Sequence, residues 1–192
     1  MSEPMTAPPA APAPAPAAQS SGFVYADVPN RAIAYIIDSI IVFVGIVLIG
    51  IVLAGVGLAT STIGPGATVE TNYVATIILG LIGIAISGAY FVYTWTSMRA
   101  TIGMKLLGMQ IGNAGDGRTL TTNQAFRRFA ALSAPSVLAQ VFQPVPLIGL
   151  VLSLVALGWV IYLLYTTAKS PTKQGWHDVF ANTQVVKAAT TV

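Results

Sequence analysis

The residue best suited to chemistry in this sequence is Asp38, a carboxylic acid inside a long apolar run. It follows Arg31 by seven positions, or two helical turns, so both side chains project from nearly the same face of a helix. The rise between them is about 10 Å, which puts Asp38 well inside one half of a bilayer. A carboxylate at that depth costs about 2.5–3.5 kcal/mol on insertion scales. Some other feature of the protein must therefore offset this cost.

Two interpretations of Asp38 stay open at this point. In the functional one, Asp38 is a carboxylate that binds an ion or a proton. In the structural one, it is half of a buried ion pair that sets the register of two helices. The candidate partners are Arg31 and the arginines Arg127 and Arg128 at the start of a later helix; a water-filled vestibule or protonation would also lower the cost.

A second candidate pair, His177 and Asp178, lies near the C-terminus. A catalytic His/Asp pair is one interpretation, but adjacent residues rarely face one another and no nucleophile motif accompanies them. His177 is the only histidine and there is no cysteine, so the sequence offers no set of metal ligands. We expect Asp178 to cap a helix of the tail or to pair with an arginine of the loop. These residues predict a protein that is not an enzyme and that uses no metal or cofactor.

The composition indicates which solvent surrounds these residues. Of the 192 residues, 55% are hydrophobic and only 8% are charged, whereas a soluble domain carries about 25% charged residues. So few charges cannot cover the surface of a soluble fold, and the predicted partner is a lipid bilayer. The nine Lys and Arg residues are scattered rather than arranged in a stripe, which argues against nucleic-acid binding.

Hydropathy predicts an all-α integral membrane protein, a bundle of four transmembrane helices with a cytoplasmic loop and tail. The predicted spans cover residues 32–59, 73–95, 125–143 and 147–168. The third span is short and is interrupted by Pro135, so a re-entrant segment is the alternative to a full crossing. Thr121 and Gln124 have the spacing of a capping box at its start, and Asn30 is the expected N-cap of the first span.

The remaining segments are polar or low in complexity. Residues 1–22 alternate Pro with Ala, which predicts a disordered tail. The membrane domain is predicted over residues 23–187, and 188–192 form the C-terminal end. Within the loop 99–123, residues 101–111 fit either a short interfacial helix or a strand.

The basic residues predict the orientation of the chain in the membrane. All nine lie before the first span, between the second and third, or after the last. The positive-inside rule then places both termini and the loop in the cytoplasm. This arrangement requires the third segment to cross the bilayer or to re-enter it.

Four short motifs along the chain resemble one known signature. They are RAIAYIID at 31–38, TIGMKLLGMQI at 101–111, AFRR at 125–128, and QGWHD at 174–178 followed by ANTQVV at 181–186. In this order they resemble the RDD family of membrane proteins, which is named for one arginine and two aspartates; Arg31, Asp38 and Asp178 match these positions. The Pro/Ala tail is similar to that of actinobacterial members described as proline-rich antigen-like.

The resemblance implies a multi-pass protein of the bacterial plasma membrane, and some members of the family are regarded as sodium/proton antiporters. It implies that Arg31, Asp38 and Asp178 form a charge cluster on the cytoplasmic side, assisted by Lys105 and Arg127. The partner would then be a monovalent cation or a proton. Four spans are few for a transport pathway, so exchange would require a homo-oligomer. The alternative is a non-transporting accessory protein whose cytoplasmic loop and tails recruit partners.

Overall fold

The computed structural model of the protein describes residues 24–188, so the predicted tail 1–22 and nearly all of the predicted end 188–192 lie outside the described residues. The chain is mostly helical. The helices are α1 Val28–Gly55, α2 Tyr73–Tyr93, α3 Ile102–Leu106, α4 Thr122–Val141, α5 Pro146–Lys169 and α6 Trp176–Ala181. The strands are β1 Ser61–Ile63, β2 Val69–Thr71, β3 Met109–Asn113 and β4 Thr183–Lys187.

Three helices within residues 24–188 are long and apolar enough to cross a membrane: Val28–Gly55, Tyr73–Met98, which extends α2 by a π-helical turn, and Leu147–Lys169. At most 17% of the residues in the most apolar window of each helix are buried, so their apolar side chains face outward as lipid requires. The prediction of a helical membrane protein is confirmed. The helix α4, with 20 residues, is not among these candidates, and its crossing stays a prediction.

The first helix begins earlier than the sequence suggested. Its N-cap is Asp27, whose side chain accepts the backbone N–H of Asn30 at 3.1 Å, so the expectation that Asn30 itself caps the helix was wrong. Pro29 lies in the first turn of α1, where a backbone N–H has no acceptor within the helix. The absence of an N–H on proline therefore costs no hydrogen bond at this position. Pro29 is therefore compatible with the start of α1.

The proline in α4 does not interrupt the helix, contrary to expectation. Pro135 has no N–H to donate to the carbonyl of Ala131, four residues earlier. The indole Nε1 of Trp159 on α5 donates to that carbonyl at 2.9 Å. The neighbouring helix thus satisfies the backbone group that proline leaves open, and α4 runs on to Val141. At its start, the predicted capping box of Thr121 and Gln124 is confirmed.

One end of the bundle carries a small mixed unit that we call the cap, formed by α3, β3, α6 and β4. The two strands pair antiparallel, with Asn113 opposite Thr183 and Met109 opposite Lys187. The predicted segment 101–111 contains both of the elements that its pattern allowed, a helix over Ile102–Leu106 and the beginning of a strand at Met109. A separate hairpin, β1 with β2, joins α1 to α2. The hydrophobic core of the described chain lies at the cap end, where Trp95, Met104, Ile111 and Val185 are buried together.

The cap approaches α1 so closely that only glycine fits at the contact. A Cβ built on Gly103, in α3, would lie 2.3 Å from the backbone oxygen of Ala34 in α1. The backbones of the two helices therefore touch at this point. This contact brings the start of α3 to the level of Asp38, one turn further along α1.

Candidate functional site

The carboxylate of Asp178 is the centre of the polar site. It is completely buried and belongs to the first turn of α6. Its Oδ2 accepts the Nη1 of Arg31 at 2.9 Å, and its Oδ1 is paired with the Nη1 of Arg128. Arg31 lies on α1 and Arg128 on α4, so one carboxylate of the cap binds two helices of the bundle.

Asp178 also organises its own helix. The backbone N–H of Gly175 donates to Oδ2 at 3.1 Å, which confirms that Asp178 caps α6. The hydroxyl of Thr183, at the start of β4, donates to Oδ1 at 3.2 Å, and the Nε2 of His177 lies 3.5 Å from Oδ2. The carboxylate thus receives charged and neutral donors on both oxygens, as a buried charge requires.

Arg31 is held by three groups rather than one. Besides Asp178, its Nε donates to the carbonyl of Ala26 at 3.2 Å and its Nη2 donates to the carbonyl of Val185 at 3.0 Å. These acceptors lie on the segment before α1 and on β4. One guanidinium therefore fastens α1 to the sheet of the cap.

Asp38 has a different set of partners. It is only 2% exposed, and it accepts the hydroxyl of Tyr90 at 2.7 Å, the hydroxyl of Thr101 at 2.5 Å and the backbone N–H of Gly103 at 2.8 Å. The hydroxyl of Tyr90 in turn accepts the backbone N–H of Ile102, and the hydroxyl of Thr101 accepts that of Met104, both in α3. Asp38 and its partners thus cap the N-terminus of α3, which is where a negative side chain is favourable.

The structure divides the predicted cluster into two. Arg31 and Asp178 are in direct contact, whereas Asp38 bonds to two hydroxyls and a backbone amide rather than to an arginine. The arginine of α4 that reaches the site is Arg128. Its neighbour Arg127 is exposed, donates to the carbonyl of Phe180 at 2.6 Å and stacks over that ring, because adjacent helical residues point about 100° apart.

Lys105 does not reach either carboxylate. It is exposed on α3, and its Nζ lies 3.3 Å from the sulfur of Met98. Sequence reasoning also missed Tyr90, whose hydroxyl holds Asp38 from α2. Thr101 and Gly103 belong to the motif TIGMKLLGMQI at 101–111. This motif was the signal in the sequence that could have indicated their contact with Asp38.

A cavity of about 260 Å³ is lined by Asp38 and by the two arginines that hold Asp178. Its charged lining residues are Arg31, Asp38 and Arg128, and His177 also lines it. Burial lowers the pKa of His177 well below its ordinary value of 6.5, and the positive charges of Arg128 and Arg31 lower it further. His177 is therefore neutral at pH 7, and around Asp178 two guanidinium groups face one carboxylate.

The described residues, 24–188, contain no group of three or more His, Cys, Asp or Glu side chains that could hold a metal ion. The oxygens around Asp38 come from one carboxylate and two hydroxyls, each already engaged in hydrogen bonds. The arrangement is suited to joining helices, and three of the roughly four lone-pair positions of that carboxylate are occupied.

Comparison with known protein families finds a match over most of the chain. A family model described as the RDD family matches residues 25–182, from just before α1 to just after α6. No curated protein and no solved structure matches the chain.

Proposed function

The chain belongs to the RDD family, and from this premise we propose that it is a non-transporting accessory protein of the bacterial plasma membrane, not an enzyme, whose cytoplasmic loop and tails recruit partners. The observation that carries the proposal is the environment of Asp38. Its carboxylate accepts three hydrogen bonds that cap α3, so its geometry is that of a structural fastening. A transport carboxylate must instead release its partners to bind an ion.

The charge distribution supports the orientation within this proposal. Every Lys and Arg lies on the cap, in the segments that adjoin it, or at the helix ends that lead to it. By the positive-inside rule, the cap and both termini face the cytoplasm. The hairpin of β1 and β2, without Lys or Arg, then lies on the opposite side.

A fourth crossing by α4 completes this topology. Its 20 residues span about 30 Å, the thickness of the hydrocarbon layer. It packs between α2 and α5, so neighbouring helices shield its less apolar faces. Its two arginines lie in the first turns, near the cytoplasmic boundary.

Cation/proton exchange is the second candidate, and one observation favours it. Asp38 is a buried carboxylate within a candidate span, and it lines the same cavity as Arg31 and Arg128. Ionisable groups inside membranes commonly mark ion pathways. In this alternative, Asp38 alternates between a proton and a monovalent cation, and a homo-oligomer supplies the remaining helices of the pathway.

A flux measurement separates the two candidates. The full chain is reconstituted in vesicles, and proton movement driven by a sodium gradient is followed for the wild type and Asp38→Asn, with Asp116→Asn as a control because Asp116 lies on an exposed turn. The accessory role predicts no flux in any variant and a lower melting temperature for Asp38→Asn. The lost hydrogen bond to Thr101 should cost about 1–3 kcal/mol.

Opposite results would establish exchange. Wild-type flux that persists in Asp116→Asn and disappears in a folded Asp38→Asn would overturn the accessory role. Wild-type flux that is unchanged in Asp38→Asn would also overturn it, and would remove Asp38 from the pathway.

A further inference from the structure

The wall of the cavity near Asp178 includes residues with buried nitrogen atoms that take no part in the hydrogen bonds of Asp38 and Asp178. Within residues 24–188, the Nε of Arg128, the Nε1 of Trp95 and the Nδ1 of His177 have no hydrogen-bond partner. All three residues line the cavity and are more than nine-tenths buried. Buried polar groups of this kind need an acceptor or a donor, so the cavity is built to receive a polar group.

Two of these groups lie side by side. The guanidinium carbon of Arg128 is 5.1 Å from the centre of the Trp95 ring, so these two side chains share one corner of the cavity wall. The charge beside Arg128 is positive, because Arg128 shares the carboxylate of Asp178 with Arg31 and His177 is neutral. The charge of Asp27 acts on Arg31. An acceptor that carries negative charge therefore fits this corner best.

Asp38, the other charged residue of the lining, does not cancel this surplus locally. Its oxygens are occupied by Tyr90, Thr101 and Gly103, and no arginine is among its hydrogen-bond partners in the described chain. Arg31, for its part, has all three of its nitrogen atoms engaged. The free donor capacity at this corner is thus that of Arg128 and Trp95.

The rest of the cavity is apolar and leads to lipid. Three residues that line the cavity are also exposed on the outer surface of two candidate spans: Ile36 on α1, and Val160 and Leu164 on α5. The mouth between α1 and α5 therefore faces the bilayer. Its volume of about 260 Å³ is small beside ordinary ligand pockets of about 300–1,000 Å³, so it fits one chain rather than a two-chain lipid.

We propose that this cavity binds a long-chain carboxylic acid, with the carboxylate at Arg128 and Trp95 and the hydrocarbon chain leaving between α1 and α5 into the membrane. A carboxylate matches the planar guanidinium of Arg128 and accepts the indole N–H. The hydrocarbon chain of the acid exchanges its contacts with lipid for contacts with the apolar side chains that line the cavity. This site goes beyond the accessory role and does not depend on it.

The test is equilibrium binding of radiolabelled palmitic acid to the full chain in detergent. The wild type should bind the acid saturably, and Arg128→Gln should bind about tenfold more weakly or worse, because a hydrogen bond from a charged group is lost. Arg127→Gln is the matched control, since its side chain lies on Phe180. Unlabelled palmitate should compete, and neither methyl palmitate nor inorganic phosphate should.

A second pair of variants guards against misfolding of Arg128→Gln. Ala32→Phe adds a ring to a half-buried position of the lining and removes no polar group, so it should abolish saturable binding in a folded protein. Ile40→Phe, on an exposed face of α1, should bind as the wild type does. Absence of saturable binding in the wild type, equal competition by the methyl ester, displacement by phosphate alone, or unchanged binding in Ala32→Phe would each overturn the proposal.

Discussion

Replacement of Asp178 by asparagine should detach the cap from the bundle. The carboxylate is completely buried between Arg31 and Arg128, and the substitution leaves both guanidinium groups in place without an anion. The asparagine amide oxygen can serve one arginine, but its NH₂ group then opposes the other donor. Removal of one partner from a buried ion pair costs about 3–5 kcal/mol.

The protein offers a matched control in Asp116→Asn. Asp116 pairs with Arg118 at 3.4 Å, but these side chains are 49% and 85% exposed, so the pair is screened by solvent and contributes about 0–1 kcal/mol. Asparagine at position 116 also keeps the Oδ1 that accepts the backbone N–H of Arg118. Both variants remove one negative charge, and they differ in burial.

Thermal unfolding in detergent measures the difference. For a chain of this size, 1 kcal/mol corresponds to roughly 2–4 °C, so Asp178→Asn should melt roughly 6–20 °C below the wild type and Asp116→Asn within a few degrees of it. Hydrogen exchange should accelerate in β3 and β4, the strands that Asp178 secures through α6. Combination with Arg128→Gln should cost less than the sum of the two single changes, because the partners are already separated.

The reasoning would be refuted by equal stability of the two variants. It would also be refuted if the costs of Asp178→Asn and Arg128→Gln were additive, since residues in direct contact should couple. If hydrogen exchange in Asp178→Asn accelerated in the hairpin of β1 and β2 rather than in β3 and β4, Asp178 would not be the residue that secures the cap.

Gly103→Ala should destabilise the protein strongly, because its new methyl group would lie 2.3 Å from the backbone oxygen of Ala34; Gly45→Ala, with no atom within 4 Å, should not, and melting temperatures in detergent compare them. Burial lowers the pKa of His177 in the folded protein, so on acidification the unfolded chain binds the proton before the folded protein does. The free energy of unfolding that depends on neutral His177 is therefore fully present above about pH 6.5 and decreases below it. The melting temperature should accordingly fall more between pH 7 and pH 5 in the wild type than in His177→Gln; equal falls would contradict this assignment.

The membrane-spanning helices could be predicted because lipid imposes a simple rule on sequence. Runs of about 20 apolar residues predict α1, α2 and α5, and the capping box at Thr121 predicts the start of α4. Their ends were less predictable. The first helix begins at Val28 because Asp27 is near enough to accept the N–H of Asn30, and an apolar pattern carries no record of such a bond.

The polar site could be predicted only in part, since its residues are far apart in the chain. Arg31 and Asp178 are separated by 147 residues, and their pairing followed from a family resemblance rather than from spacing. The choice between Arg127 and Arg128 depends on which face of α4 meets the cap, a tertiary property. The strands β3 and β4 likewise form because they meet each other, and five residues alone do not indicate that partner.

Pro135 and Trp159 constrain each other through a single carbonyl. The proline withdraws a donor from Ala131, and the indole supplies one from the adjacent helix. Loss of the tryptophan alone would leave the carbonyl of Ala131 without a donor, whereas an alanine at position 135 would supply the helical N–H and make the indole donor unnecessary. The two positions are therefore coupled: the indole can be removed without leaving this carbonyl unpaired only when residue 135 is not proline.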